Sequence, residues 1–504
     1  MYRSNYIQMK KTYKLYSFLL FSLVLGATFS CTKLEDINID PNRASNAHPR
    51  ALLPKVEWEA FRAWHGTSPL YTLKMIVQTD GENANQIYNW QRGSFDMYEQ
   101  LRNVVKLQEE AAAINEPGYL ALAKFFRAYY FYNLTLTFGD IPYTEALQGE
   151  SNAIYTPKYD AQKDVFVGIL KELEEASKML SENQDILAGD VIYNGNTALW
   201  RRAINAFRLR VLLTLSKKEN DTDLNVKSQF AAIAQNEPLL TDGDDAQLVF
   251  LDQEGNRYPE FNSSGYGSGM YMDSTFIKRL QDHNDPRLFA IATRTRLGEE
   301  AGLALDNFAA YEGGDPIVPY AQVNAKAVRG KLSKVLERYT KDATTEPYVL
   351  IGYVEQQLIL AEAIVRGWIP GDATATYNTG IRSAFKFYEN NAKGLATFFN
   401  AAKVEDYLNQ DIVSLDAVTT LEEKVARIQM QKYLRSFHQG GYSAYYDHLR
   451  TGYPTLRKSA NVQTAYRWMY PQSEYNNNTA QVGMAIKNQF EGNDNIRSKP
   501  WWVQ

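Results

Sequence analysis

The single cysteine of the chain is the feature that most restricts its fold. Cys31 is the only cysteine in 504 residues, so no disulfide within the chain can hold the structure together. Stability must therefore come from the burial of apolar surface. A chain of this length with 45% hydrophobic residues can bury a large core.

The residues before Cys31 have the pattern of a secretory signal. A basic segment at residues 9–14 precedes an apolar run at 15–29, and Ser30 then stands directly before Cys31. A basic start, about 15 apolar residues and a small residue before the cleavage point are typical of a signal peptide. We therefore expect residues 1–30 to be a lipoprotein signal peptide and Cys31 to carry the lipid. The alternative is a transmembrane anchor with an incidental cysteine, which would need about 20 apolar residues.

Three details qualify this interpretation. Residues 1–8 are polar and add nothing to a signal, so either Met1 or Met9 can be the start of translation. Thr28 departs from the aliphatic residue usual three positions before a lipidated cysteine. The acidic pair Glu35 and Asp36 resembles the tag that exports some lipoproteins to the outer face of the outer membrane.

The composition gives no indication of nucleic-acid binding and is compatible with the binding of polar ligands. The net charge of -4 and the pI of about 5.9 give no basic footprint for nucleic acid. Aromatic residues make up 13% of the chain, and 34 Tyr outnumber 23 Phe. Tyrosine rings have a polar edge, so they suit surfaces that stack on polar ligands as well as protein cores.

Hydrophobic periodicity predicts a mainly α-helical chain built from helix pairs. After a polar tether at residues 31–50, we expect a single domain over 51–504. The predicted pairs cover about 97–138, 161–217 and 348–390, and a last strong helix covers about 421–439. A small residue lies four positions before an aromatic residue on the second helices, at Ala128/Tyr132, Ala203/Phe207 and Ala373/Tyr377. This spacing resembles degenerate tetratricopeptide packing; the alternative is coincidence in an ordinary helical protein.

A segment of different composition separates the second and third predicted helix pairs. Residues 240–346 are rich in Gly, Asp, Asn and Tyr and lack long helical stripes. Loops of this length in a compact domain are usually functional or disordered, and the aromatic content argues against disorder. We therefore predict a large loop-rich insertion that carries the binding face.

The motifs of common enzymes are absent from the sequence. The glycine cluster at 265–269 has neither the lysine of a phosphate-binding loop nor dinucleotide spacing. No serine has glycines two positions away on both sides, and the five histidines form no zinc-binding pattern. The acidic residues 242–245 lack the EF-hand layout. We predict no catalytic residues, no metal and no cofactor, although the many carboxylates leave a glycosidase pair open.

Several blocks resemble the SusD/RagB family of outer-membrane nutrient-binding lipoproteins. They fall in the order found in that family and span nearly the whole chain after Cys31. The blocks are residues 38–42 (NIDPN), 138–147 (FGDIPYTEAL), 284–288 (NDPRL), 428–434 (IQMQKYL), 444–454 (AYYDHLRTGYP) and 467–478 (RWMYPQSEYNNN).

The resemblance implies a SusD-like superhelical fold, with tetratricopeptide-type helices and a loop-rich half, and no catalysis. It also implies a partner, a SusC-like TonB-dependent barrel transporter, over which the lipoprotein sits as a hinged lid at the cell surface. The matching blocks are mostly structural. In 450–454, for example, we interpret Arg450 as a buried arginine that pairs with a carboxylate and fixes a turn.

The ligand residues are predicted from the residue types that glycan capture needs. Flat apolar faces stack on sugars, and amide, Arg or carboxylate groups bind the hydroxyls. Two loops combine these groups, and we expect Trp90 to be the main ligand contact. The predicted ligand residues are Tyr88, Trp90, Gln91, Arg92, Tyr258, Asn262, Tyr266 and Tyr271.

These observations favour a non-catalytic glycan-binding component of nutrient uptake, anchored by Cys31 in the outer membrane. The main alternative is that the same architecture captures peptides, because the RagB branch of the family is associated with peptide uptake. Charged rather than aromatic loops would favour that alternative. A lipoprotein hydrolase would show turnover of its ligand. A structural repeat scaffold would bind a protein partner but no small ligand.

Overall fold

The predicted helix pairs form the scaffold of the structure. The computed structural model describes residues 47–62, 66–182, 185–267 and 269–504, so the predicted signal peptide and Cys31 lie outside the described residues. Residues His48–Gln504 form one compact unit. The mainly helical fold predicted from the sequence is confirmed.

The elements are labelled here in chain order. The helices are α1 (Pro49–Arg62), α2 (Ser68–Thr72), α3 (Met97–Ala113), α4 (Pro117–Phe138), α5 (Gly149–Asn152), α6 (Gln162–Glu182), α7 (Thr197–Thr214), α8 (Val226–Asn236), α9 (Ser274–Asp282), α10 (Arg287–Ile291), α11 (Arg296–Glu300), α12 (Tyr320–Val328), α13 (Arg338–Lys341), α14 (Tyr353–Val365), α15 (Ala373–Asn391), α16 (Ala401–Leu408), α17 (Leu421–Leu434), α18 (Ser443–Thr451), α19 (Gln472–Asn477) and α20 (Thr479–Phe490). The strands are β1 (Ile76–Gln78), β2 (Ala246–Leu248), β3 (Met270–Met272) and β4 (Tyr348–Ile351).

Helices α3, α4, α6 and α7 pack in sequence against one another. Pro117 begins α4, where its fixed φ fits the first turn and its missing N–H leaves no donor unsatisfied. The aromatic partners of the small residues meet between helices, as Tyr132 of α4 contacts Phe207 of α7 with ring centroids 5.3 Å apart. The third pair, α14 and α15, packs closely as well.

The predicted start of the third pair is wrong. Residues Tyr348–Ile351 form strand β4, which pairs antiparallel with β2 and places Tyr348 opposite Leu248. All four side chains of β4 are buried. A short run of residues that are all buried shows neither a helical nor an alternating pattern, so periodicity alone cannot tell a helix from a strand there. Gly352, in extended conformation, then precedes α14.

Helix α17 is shorter than predicted, because it ends at Leu434 rather than near Gln439. The following residues cannot continue it, since His438, Gly440 and Gly441 all adopt positive φ. The chain therefore turns and begins α18 at Ser443. This turn places His438 beside Tyr266 of the second loop predicted to bind ligand.

The predicted insertion consists of short elements joined by long loops. Between residues 240 and 346 the structure has strands β2 and β3 and helices α9 to α13, each with nine residues or fewer. Strand β3 pairs antiparallel with β1. A small separate apolar cluster underlies α12 and contains Val77, Val323, Ala327 and Leu332.

A buried cluster of charges joins α14 to α18. The Arg450 guanidinium donates to both carboxylate oxygens of Glu362, at 2.5 and 2.9 Å. It also donates to Asp447 Oδ1 at 2.7 Å and to Ser216 Oγ at 3.2 Å. The interpretation of Arg450 as a buried arginine paired with a carboxylate is confirmed.

Candidate functional site

The first predicted binding loop has its two main rings in the core. Trp90 is only 3% exposed and Tyr88 only 1%. Trp90 stacks parallel on Trp468, with centroids 3.9 Å apart and planes 8° from parallel, and the edge of Tyr445 meets it at 5.5 Å. The sequence predicts Tyr88 and Trp90 as ligand contacts, but the structure buries both rings. Residues more than 350 positions later cover them, and no local sequence pattern shows that.

Tyr258 of the second predicted loop is also buried. Its ring lies edge-on to Phe250 at 5.4 Å and close to Tyr339 at 6.4 Å. The sequence predicts Tyr258 as a ligand contact, but the structure packs its ring into the core. Aromatic residues in a Gly- and Asn-rich segment can anchor the loop to the core instead of facing solvent.

Gln91 and Arg92 remain at the surface next to the buried tryptophan. Arg92 Nη1 donates to Asp494 Oδ2 at 2.8 Å and to the carbonyl oxygen of Tyr470 at 2.8 Å. Its guanidinium also lies 4.4 Å from the ring centroid of Tyr475. Arg92 is thus held in one position at the edge of the Trp90–Trp468 stack.

The other predicted residues are exposed or partly exposed but lie in different surroundings. Asn262 is exposed at a positive φ of 58°, while Tyr266 and Tyr271 are partly exposed. The Tyr266 hydroxyl hydrogen-bonds with His438 Nε2 at 3.0 Å. Tyr271 lies on β3 beside the small apolar cluster, where Lys334 Nζ is 5.3 Å from its ring.

The ring that the sequence interpretation missed is Trp468. It is partly exposed, whereas Trp90 behind it is buried. Trp90 covers one face of Trp468, and Tyr442 meets it edge-on at 5.0 Å and 80°. The surrounding backbone fixes its place, because its amide donates to the carbonyl oxygen of Thr137 at 2.9 Å. Trp468 belongs to a block with a structural character in sequence, and no local signal marked it as a binding residue.

Contacts through α2 connect Trp468 with the second predicted loop. Burial raises the pKa of Tyr442, and Thr72 and Ser68 of α2 lie close enough to its hydroxyl to lower it. From the same helix, the Tyr71 hydroxyl donates to the side chain of Gln78, whose amide donates to Asp80.

The far end of this surface holds Tyr266. Burial and the neighbouring Glu260 carboxylate raise the pKa of Tyr266, and Tyr71 lies close enough to add to that shift. Tyr71 itself is buried and links the exposed residues on either side of it. We call the exposed or partly exposed residues joined by these contacts, Trp468, Tyr442, Gln78, Asp80 and Tyr266, the aromatic strip.

The two histidines near the turn after α17 are packing residues. His438 lies among Phe437, Tyr339 and Tyr266, with the closest ring centroid 4.7 Å away. Burial lowers the pKa of His448 to about 4, so it is neutral at pH 7. Its Nδ1 hydrogen-bonds with the carbonyl oxygen of Pro454 at 2.9 Å.

Two other properties concern only the part of the chain that the structure describes. There, no three His, Cys, Asp or Glu side chains come together in a way that could hold a metal ion. Within the same residues, none of the helices combines the length and apolar character needed to cross a bilayer.

Comparison with solved structures gives close matches over the whole described unit. An outer membrane protein from Bacteroides vulgatus ATCC 8482, proposed to take part in nutrient binding, is 50% identical with a TM-score of 0.88. A SusD homologue from Bacteroides fragilis NCTC 9343 is 48% identical with a TM-score of 0.87. Each comparison covers 91% of this chain and 100% of the other.

A more distant relative and the family profile extend the comparison. A chitin-binding protein shares the fold, with a TM-score of 0.72 at 23% identity over 91% of this chain and 100% of its own. Comparison with curated proteins gives no significant match. The profile of the SusD-like family, described as "Starch-binding associating with outer membrane", matches residues 41–471. The chain therefore belongs to the SusD-like family of outer-membrane-associated, nutrient-binding proteins.

Proposed function

We propose that this chain captures glycans at the cell surface, without cleaving them, and that the aromatic strip is its ligand face. The observation that carries this proposal is the partly exposed Trp468, held on one face by the buried Trp90. A ring that is fixed before the ligand arrives loses little conformational freedom on binding. It can therefore offer a rigid apolar surface to the C–H face of a sugar.

Two polar residues of the strip supply the second requirement for glycan binding. Asp80 is exposed and Gln78 is partly exposed, and both present oxygen or amide groups that can bind sugar hydroxyls. Each hydroxyl must lose water before it binds, so only a modest surplus of free energy remains. We expect affinities on the order of micromolar to millimolar. Predicted residues that keep an exposed or partly exposed side chain are candidates for further contacts: Gln91, Arg92, Asn262, Tyr266 and Tyr271.

The proposed anchor and partner rest on the family and on the sequence. Lipid on Cys31 would hold the protein at the outer membrane, which agrees with the association given in the family description. A SusC-like TonB-dependent transporter is the proposed partner, and this chain would act as its lid. Weak binding suits this role, because a lid must release its ligand to the transporter.

A ligand screen tests the class of ligand. The purified full-length chain in detergent is titrated calorimetrically with soluble starch, chitin oligosaccharides and mixed peptides, and the products are checked for cleavage. Saturable binding of an uncut glycan is the expected result. Binding of peptides alone would replace glycan capture with peptide capture, and cleavage of any ligand would contradict a purely binding role.

Removing the outer ring of the strip should weaken glycan binding. We expect Trp468→Ala to lower the affinity for the glycan found in the screen at least about tenfold, because stacking surface is lost. Tyr155→Ala is the matched control, since this ring is 77% exposed outside the strip. Calorimetry of the two variants and the unchanged protein measures the effect. Equal affinity in all three would show that the strip is not the ligand face.

A further inference from the structure

A second groove lies on the helical scaffold, away from the aromatic strip. Helices α6 and α8 both pack against α7, and the groove between them has a volume of about 480 Å³. Arg208 of α7 lies in it, with apolar side chains such as Leu170 and Ile233 on the walls. The amide side chains of Gln229 and Asn236 line it as well, and none of its lining residues is aromatic.

Arg208 has unusual surroundings for a buried arginine. It is only 6% exposed, and its one direct hydrogen bond among the described residues runs from Nη1 to Asn205 Oδ1 at 3.2 Å. Its Nε is buried without a partner, and no carboxylate in the described residues forms an ion pair with it. Buried charges are normally paired because desolvation is costly. This guanidinium therefore keeps unused donors next to an open groove.

The nearby carboxylates are engaged elsewhere or stand at the rim. Glu237 pairs with Arg201 at 2.7 Å, and Asp223 pairs with Lys163 at 2.6 Å. Glu174 is exposed, and so is Lys171 on the same wall. Glu174 and Glu237 therefore act on the Arg208 charge only from a distance, and no carboxylate among the described residues forms a direct ion pair with its guanidinium.

We propose that this groove binds an acidic side chain of a polypeptide. The Arg208 guanidinium matches a carboxylate through charge-assisted hydrogen bonds. Gln229 Nε2 already donates to the carbonyl oxygen of Leu224 at 2.6 Å, so Gln229 offers its Oε1 to a peptide N–H, while the Asn236 amide suits either an N–H or a C=O group. The aliphatic walls suit an apolar side chain. The lack of an aromatic lining disfavours a sugar acid, which would have no ring to stack on.

The test compares two labelled peptides on the full-length chain in detergent. The probes are acetyl-Leu-Glu-Leu-Glu-Leu-amide and its glutamine counterpart, and binding is followed by fluorescence anisotropy. We expect the glutamate peptide to bind at least about tenfold more tightly, because charged hydrogen bonds are the stronger ones. Equal binding of the two peptides, or no binding of the glutamate peptide, would overturn the proposal. Glutarate and galacturonate are tested as competitors of the labelled glutamate peptide. If either displaces it at the same concentration as unlabelled peptide does, the groove binds small carboxylates instead.

Variants of Arg208 separate a ligand role from a structural one. Arg208→Met should lower the affinity for the glutamate peptide to that for the glutamine peptide. Its melting temperature should stay the same or rise, because an unpaired buried charge is replaced by an apolar side chain of similar shape. Arg202→Met on the same helix is the control, since Arg202 pairs with Asp244 at 2.6 Å and does not line the groove.

Two outcomes of the variant series would count against the proposal. A fall of several degrees in the melting temperature of Arg208→Met would make Arg208 a structural residue. Arg208→Lys keeps the charge without the fork of donors, and we expect it to bind the glutamate peptide several-fold more weakly than the unchanged chain. Full affinity in either Arg208 variant would show that the groove does not use the guanidinium.

Discussion

Replacing Trp90 by alanine is expected to lower the free energy of unfolding by about 3–5 kcal/mol. The indole is almost fully buried and contacts Trp468, Tyr445 and Tyr88, so its removal leaves a cavity among rings that cannot all close it. Urea denaturation followed by circular dichroism measures the loss. This expectation reverses the one from sequence, in which Trp90 would contact ligand and contribute little to stability.

Two further variants make the Trp90 test specific. Trp90→Phe keeps an aromatic ring behind Trp468, so its loss of stability should be clearly smaller than that of alanine. Trp468→Ala removes a partly exposed ring and should likewise cost less than Trp90→Ala. An unchanged free energy of unfolding for Trp90→Ala, together with loss of glycan binding, would return Trp90 to the role of a ligand contact.

The second large effect is expected at Glu362, the buried carboxylate between Arg450 and α17. Glu362→Gln should lower the free energy of unfolding at pH 7 by about 3–5 kcal/mol, because it leaves the buried Arg450 without its main counter-charge. Glu362 also accepts from Gln429 Nε2 at 2.6 Å. The exposed pair of Arg382 and Glu405 is the matched control, with side chains 45% and 50% exposed. Glu405→Gln should cost less than about 1 kcal/mol.

The pH dependence of the Glu362 effect has a definite sign. Burial alone would raise the pKa of this carboxyl, but Arg450 and its neighbours lower it from 4.5 to about 2. A depressed pKa in the folded state stabilises the protein above the unfolded value. That contribution is lost as the pH falls from about 4.5 to about 2. The difference between the unchanged chain and Glu362→Gln should therefore narrow over this range. A constant difference from pH 7 to pH 2 would contradict the assigned ion pair.

Much of the scaffold could be predicted because its signals are local. Helices α3 and α6 each carry an apolar stripe, and α4 and α7 are long helices buried on most sides. Recognisable residues such as Pro117 mark where they begin. Strand β4 could not be predicted, since four consecutive buried residues have no periodicity of their own. It becomes a strand because β2, about 100 residues earlier, supplies its hydrogen-bond partners.

In the candidate site, too, local features could be predicted and contacts between distant segments could not. The sequence pointed to the loop at residues 80–93, where Gln91 and Arg92 are exposed next to the buried Trp90. It gave no sign that Trp90 is buried against Trp468, because the two residues come from distant parts of the chain. Tyr442 likewise joins the strip only through residues of α2, far away in the sequence.

The sequence by itself determined the helical class, the helix pairs and the family. These follow from periodicity, from turn residues and from blocks that remain recognisable in isolation. Only the tertiary structure decided which rings face solvent and which arginines find a partner. Arg450 meets Glu362 across 88 positions, whereas Arg208 meets no carboxylate among the described residues. Whether a side chain is buried or paired depends on contacts with segments that are distant in the sequence. The residues next to it in the sequence carry no information about those contacts.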